Sequence, residues 1–126
     1  MNDIKKIMLV DDDEDITVAL KTLLEKSKKF KVFFTNDGSE AFNLAQREQP
    51  DLIICDIDMP KVTGDDVAYA LSESDKTKDI PLLFFSSLLR EEESGETGVS
   101  SDGRPIISKS ASIITLIDKI EAMLGM

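Results

Sequence analysis

The stretch Asp51-Leu52-Ile53-Ile54-Cys55-Asp56-Ile57-Asp58-Met59-Pro60 decides how this chain is read. Residues 52–55 form a short apolar run, the pattern of a strand buried on both faces. The run ends on a carboxylate, Asp56, and the pattern then breaks at Pro60 and Gly64. Taking a charge out of water is costly unless it is paired or bound to a metal. An acid at the exit of a core strand is therefore either emerging into solvent or held there by partners. In open α/β sheets the ligand crevice lies outside the carboxyl ends of the strands. The rest of the chain is read for strands that bring other groups to Asp56.

Upstream, residues 6–10 form a second apolar strand, closed by Asp11-Asp12-Asp13-Glu14-Asp15. A helix follows with Ile16, Leu20, Leu23 and Leu24 on one face, and acids in its first turn suit the helix dipole. Residues 31–35 are a further strand. Asn36-Asp37-Gly38 is a turn signal, with Ser39 placed to cap a helix that carries Ala41, Phe42 and Ala45 and stops at Pro50. Downstream, a helix over about residues 65–74 carries Val67, Ala68 and Leu71. Residues 80–85 form a strand ending in Ser86-Ser87, and residues 105–108 a strand ending at Lys109. Residues 112–124 close the chain as a helix with Ile113, Leu116, Ile117, Ile120 and Met123 inward. Strands alternate with helices, which predicts an α/β, doubly wound parallel sheet with helices on both faces, in one domain over 1–126.

One segment breaks the alternation. Residues 90–103 carry Gly95, Gly98 and Gly103, the acids Glu91, Glu92, Glu93 and Glu96, and Val99 as their one apolar residue. A surface helix needs an apolar stripe to dock, and each interior glycine costs it about 1 kcal/mol. The fourth crossover helix is expected to be short or irregular, with a loop leading into the last strand.

Composition narrows the function. Fifteen basic against 25 acidic residues leave a net charge of −10, which disfavours nucleic acid and anionic membranes, since both are bound by clustered Lys and Arg. No apolar run is long enough to span a bilayer, and a cytoplasmic protein is the default. A single cysteine, Cys55, excludes an internal disulfide and inside an apolar strand reads as core filler. The chain has no histidine, so any chemistry falls to carboxylates, hydroxyls and lysines.

Four strands end in polar groups: Asp11 and Asp12, Asp56, Ser86, and Lys109. In a parallel sheet these ends share one edge. Carboxylates gathered there repel one another unless a hard cation joins them, and Mg²⁺ takes oxygen ligands. Singly, each has a plain reading as a solvated acid, a turn residue, a strand-end hydroxyl or a surface lysine. Jointly, they point to a site.

The pattern resembles the response-regulator receiver domain of two-component signalling over nearly the whole chain. The resemblance rests on Ile7-Met8-Leu9-Val10-Asp11-Asp12, on Asp56-x-x-Met59-Pro60 with Gly64, on Pro81-Leu82-Leu83-Phe84-Phe85-Ser86, and on Lys109. It implies a flavodoxin-like, five-stranded sheet of order 2-1-3-4-5. It further implies Asp56 as phospho-acceptor, Asp12 and Asp56 binding Mg²⁺ directly, Asp11 acting mostly through water, and the backbone carbonyl of Asp58 as a further ligand. Ser86 matches the switch hydroxyl, and Lys109 the lysine that contacts the phosphoryl group. The implied partner is a histidine kinase or histidine phosphotransfer protein, with output through protein contacts. The chain is then a switch and not an enzyme, beyond self-phosphorylation from small phosphodonors and autodephosphorylation.

Four residues depart from the pattern. Ser110 stands where the family has proline, Ile106 where it has an aromatic, Asp58 adds a carboxylate, and Leu88 is apolar where relatives carry polar residues. Two rival readings stay open: a receiver-like binding module that works without phosphorylation, and a haloacid-dehalogenase-type phosphatase, which Asp56-Ile57-Asp58 also resembles. That phosphatase needs its second acidic pair downstream, whereas here it lies upstream. An EF-hand over residues 11–22 fails, since it needs Gly and Glu where Ile16 and Thr22 stand.

Overall fold

The structure, a computed structural model, describes residues 4–87, 97–99 and 103–126. In chain order the elements are β1 (Lys5–Val10), α1 (Glu14–Glu25), β2 (Phe30–Thr35), a 3₁₀ turn (Gly38–Glu40) leading into α2 (Ala41–Glu48), β3 (Leu52–Asp56), α3 (Gly64–Ser72), β4 (Leu82–Ser86), β5 (Thr97–Val99), β6 (Pro105–Ser108) and α4 (Ile113–Leu124). The sheet order is β2-β1-β3-β4-β6-β5. All pairings are parallel except β5 with β6. Counted alone, the five parallel strands have the order 2-1-3-4-5, as expected, with four helices among the described residues.

The short strand β5 was not foreseen. It pairs antiparallel along β6, with Thr97 opposite Ile107 and Val99 opposite Pro105, where a loop was expected. The rest of the 90–103 stretch that bears on the fourth crossover helix lies outside the described residues.

Alternation in the central strands explains the layers. Ile7 and Leu9, Leu52 and Ile54, and Leu83 and Phe85 face one way and pack with Leu24 of α1 and with Leu116 and Ile120 of α4. Met8 and Val10, Ile53 and Cys55, and Leu82 and Phe84 face the other way and pack with Ala41 and Ala45 of α2 and Val67, Ala68 and Leu71 of α3. Both faces of the sheet are therefore covered, as parallel strands that are apolar at every position require.

Two local expectations are corrected. On α1, Leu23 is 40% exposed, while Thr17 is fully buried. Thr17 is tolerated inside because its hydroxyl donates to the Glu14 carbonyl, which satisfies the buried group. At the 3₁₀ turn that leads into α2, the cap is Asp37 rather than Ser39: Asp37 Oδ1 accepts from the Ser39 N–H at 2.9 Å and from its hydroxyl at 2.6 Å, while α2 itself starts without a side-chain cap. The remaining helix starts follow familiar chemistry. Asp13 caps α1, Thr63 and Asp66 form a reciprocal capping box on α3, and Ser112 caps α4.

The loop after β3 contains a strained residue. Lys61 has φ 68°, and the Val62 N–H closes a three-residue turn on the Pro60 carbonyl at 2.7 Å. A positive φ costs a side-chain-bearing residue about 1–2 kcal/mol, and this hand of three-residue turn is the uncommon one. Lys61→Gly relieves that strain at a smaller entropic cost. It should stabilise the protein by about 0.5–1 kcal/mol in urea titrations; a lower midpoint would show that the turn is not strained.

Candidate functional site

Because β1, β3, β4 and β6 run parallel, their C-terminal ends deliver Asp11, Asp56, Ser86 and Lys109 to one edge. Asp11 is 3% exposed and Asp56 4%, while Asp12 is solvent-exposed. One carboxylate oxygen from each of Asp11, Asp12 and Asp56 falls within 4.8 Å of the others. The Lys109 ammonium reaches into this cluster, 2.9 Å from Asp11 Oδ2 and 3.4 Å from Asp56 Oδ1. The ammonium also lies over the Phe85 ring, with Nζ 5.5 Å from the ring centroid.

Backbone contacts hold these groups in place. The Lys109 N–H donates to the Ser86 carbonyl at 2.9 Å, which locks the ends of β4 and β6 together. Asp56 Oδ1 accepts from the Asp58 N–H at 3.2 Å, and Asp11 Oδ1 from the Asp13 N–H at 2.9 Å. The serine that replaces the family proline has its own fastening: the Ser110 N–H, which proline would lack, donates to Ser108 Oγ at 3.0 Å, and the two hydroxyls meet at 2.7 Å. Ile106 is partly buried and packs with the Met8 and Phe84 layer.

Among the described residues the charge balance at this edge is unfavourable: three carboxylates face one ammonium. Burial, then the neighbouring Asp11, push the Asp56 carboxyl above its ordinary value, against the pull of the Asp58 N–H and of Lys109. Burial alone would lower the Lys109 ammonium, but its hydrogen bond and charge interactions with Asp11, followed by those with Asp56, raise it overall. These surroundings favour the charged form of Lys109 and make a negative charge on Asp56 costly. Asp11 Oδ2 adds to the imbalance. Apart from its contact with the Lys109 ammonium at 2.9 Å, this buried oxygen accepts no hydrogen bond among the described residues. A deficit of positive charge, an all-oxygen donor set and a buried carboxylate oxygen with Lys109 alone beside it among the described residues fit a hard divalent cation such as Mg²⁺. Cys55, beside Asp56, takes no part: burial, then Asp56, push its thiol far up, and a neutral thiol is a poor nucleophile and ligand.

The structure therefore brings together the predicted Asp11, Asp12, Asp56 and Lys109, with Ser86 buried at the adjoining strand end. Asp58 is exposed, with its N–H on the acceptor carboxylate. Leu88, apolar where relatives carry polar residues, lies outside the described residues. A cleft of about 360 Å³ runs from Asp12 between loops 36–39 and 59–62. Sequence reasoning missed Asn36, whose side chain joins the β2 exit to the β1 exit; a polar amide directly after an apolar strand was the available signal.

A model of the response regulator receiver domain matches residues 7–121. The chain is similar to the polar-differentiation response regulator DivK of Brucella anthropi, 31% identical over 122 residues, covering 96% of this chain and 97% of the relative. Among solved structures it is similar to a chemotaxis protein, CheY4 of Vibrio cholerae, at 26% identity and TM-score 0.79, covering 95% of this chain and 98% of the other. It also shares its fold with the receiver domain of a sensor histidine kinase from Pseudomonas aeruginosa, 18% identical with TM-score 0.79, covering 98% of this chain and all of that one, solved with a magnesium ion coordinated in its active site cleft.

Proposed function

The chain belongs to the response regulator receiver family, and from that premise we propose that residues 1–126 form one receiver domain in which Asp56 accepts a phosphoryl group. Members of this family are signalling switches of two-component systems. The observation that carries the assignment is the Lys109 ammonium paired with both Asp11 and Asp56 over three carboxylates within 4.8 Å. An Asp56 carboxylate oxygen attacks phosphorus and an acyl phosphate forms. The bond from phosphorus to the donor breaks, and the donor leaves as a histidine imidazole or a carboxylate. The chain has no histidine to serve as that donor, so the partner is a histidine kinase or histidine phosphotransfer protein, with a small acyl phosphate as substitute.

Asp12 and Asp56 directly, Asp11 through water, and the Asp58 carbonyl would hold Mg²⁺. When bound, the ion neutralises charge on the phosphoryl oxygens. Lys109 shares that task from the end of β6, and Ser86 supplies a hydroxyl at the same edge. Phosphorylation adds roughly 1.5–2 negative charges, which Lys109 and Ser86 move to meet, so that the edge changes shape and partner proteins read it. Chemistry of the chain's own is confined to self-phosphorylation and autodephosphorylation. Among the described residues no helix is long and apolar enough to cross a membrane; with the acidic balance, this supports a cytoplasmic protein that binds neither membrane nor nucleic acid.

Incubation with Mg²⁺ and acetyl phosphate, followed by an intact mass, tests the proposal. A labile phosphate adduct supports it. No adduct favours the phosphorylation-independent module, for which the aliphatic Ile106 speaks, and turnover of phosphate esters favours the phosphatase. A second test uses heat. Mg²⁺ binds only the folded site, so a concentration ten times Kd adds about 1.4 kcal/mol. That corresponds to a rise of about 5 °C in Tm for a domain of this size. Identical melting curves with and without millimolar Mg²⁺ count against a metal site.

A further inference from the structure

Asp12 is exposed and is not packed in place, yet its carboxylate joins those of Asp11 and Asp56. Something must fix the backbone that aims it. The ladder between β1 and β2 ends with the Asp11 N–H on the Thr35 carbonyl at 3.3 Å. One residue later the Asn36 side chain adds a rung of its own. Its amide donates to the Asp11 carbonyl at 2.7 Å and to Thr17 Oγ1 at 3.0 Å. Thr17 is fully buried, and its hydroxyl passes the connection on to the Glu14 carbonyl at 3.0 Å. The carbonyl that Asn36 holds belongs to the peptide linking Asp11 to Asp12. That peptide is therefore tied to β2 on one side, and through Thr17 to the first turn of α1 on the other.

We propose that Asn36 is a positioning residue for cation binding: its amide fixes the Asp11–Asp12 peptide and so aims the Asp12 carboxylate at the cluster. This rests on the cation reading of the site given above. Asn36 touches no reacting group. It acts as the hydrogen-bonded supports of metal ligands do, and loss of such a support typically weakens metal affinity about 10–100-fold. Asn36 is also half-buried rather than core, so trimming it leaves no large cavity.

Isothermal titration of Mg²⁺ into the full chain compares wild type with Asn36→Ala and Asn36→Asp. Asn36→Ala should bind Mg²⁺ at least about tenfold more weakly while melting, metal-free, close to wild type. Its phosphorylation by acetyl phosphate should fall at low Mg²⁺ and recover at saturating Mg²⁺, since Asp56 itself is untouched. Asn36→Asp separates geometry from charge, because it removes the donor while adding a negative charge beside the cluster. Weaker binding by this variant supports positioning, whereas equal or tighter binding overturns it. Asn36→Ala with a lowered melting temperature and an unchanged Kd is a purely structural residue, and the assignment fails. Absence of Mg²⁺ binding by the wild type overturns the cation reading itself, and this one with it; wild-type binding matched by Asn36→Ala overturns this one alone.

Discussion

Asp56→Asn, incubated with Mg²⁺ and acetyl phosphate, should gain no phosphoryl group, and the same variant should melt at a higher temperature than the metal-free wild type at neutral pH. The first result follows from chemistry: an amide oxygen is too weak a nucleophile to form the acyl phosphate. Shape is not the cause, because asparagine keeps an oxygen that can accept from the Asp58 N–H as Asp56 Oδ1 does now. The second result follows from the surroundings of the charge. Burial and Asp11 raise the Asp56 carboxyl above its unfolded value despite Lys109. An acid raised on folding contributes stability below its unfolded pKa and loses that contribution as pH climbs through the raised folded value. As pH rises past the ordinary carboxylate range the wild type takes on that cost, whereas the neutral amide never does. The gap between variant and wild type should therefore narrow as pH is lowered into the carboxylate range, where Asp56 is protonated in both states. Mg²⁺ should reverse the order by stabilising the wild type more. Phosphate uptake by the variant at the wild-type rate would place the acceptor elsewhere, and a variant less stable than wild type at neutral pH would show that Lys109 outweighs the crowding.

What could be read from the residues alone, and what could not, follows the range of the interactions. The strand-end polar groups were legible because a parallel sheet leaves no freedom: once residues 52–55 are a core strand, Asp56 must sit at the edge where Asp11 and Lys109 also emerge. The layers were legible because a strand apolar at every position has to be covered twice. Thr17 was not, since a hydroxyl at a helix position reads as solvent-facing until its partners, Glu14 and Asn36, are seen. Leu23 erred the other way: it fits the apolar stripe of α1, but the sheet beneath is already filled by Leu24, Ile16 and Leu20. Asp37 and Ser39 compete for the same cap, and spacing does not say which side chain accepts. Strand β5 depends on β6 offering a free edge, a property of the assembled sheet and not of residues 97–99. Asn36 belongs with Thr17: its role exists only across the gap between two loops that lie 25 residues apart.

Gly64→Ala, a change of one methyl group, should cost far more function than its size suggests. Gly64 opens α3 under the cap of Thr63, and its N–H donates to the Ile57 carbonyl at 2.9 Å. Its φ is not left-handed, so glycine is required here for space and not for conformation. A Cβ at this position would lie 2.6 Å from the Asp56 carbonyl oxygen and 2.8 Å from Ile57 Cα. Both are backbone atoms of the chain that presents the acceptor, and neither can rotate away. Either α3 lifts off the sheet, or the segment from Asp56 to Asp58 is pushed outward and the Asp58 N–H leaves the acceptor carboxylate. Overpacking of this kind costs about 1–3 kcal/mol. A variant still folded at room temperature should take up phosphate far more slowly than wild type and bind Mg²⁺ more weakly. Gly38→Ala provides the comparison. Its Cβ would meet the end of the Met59 side chain at 3.2 Å and Val62 Cβ and the Val62 carbonyl oxygen at 3.3 Å, contacts that a small adjustment relieves, so it should lose little of either. Equal phosphorylation rates and melting temperatures for the two alanine variants would show that the approach of α3 to the exit of β3 does not hold Asp56 in place.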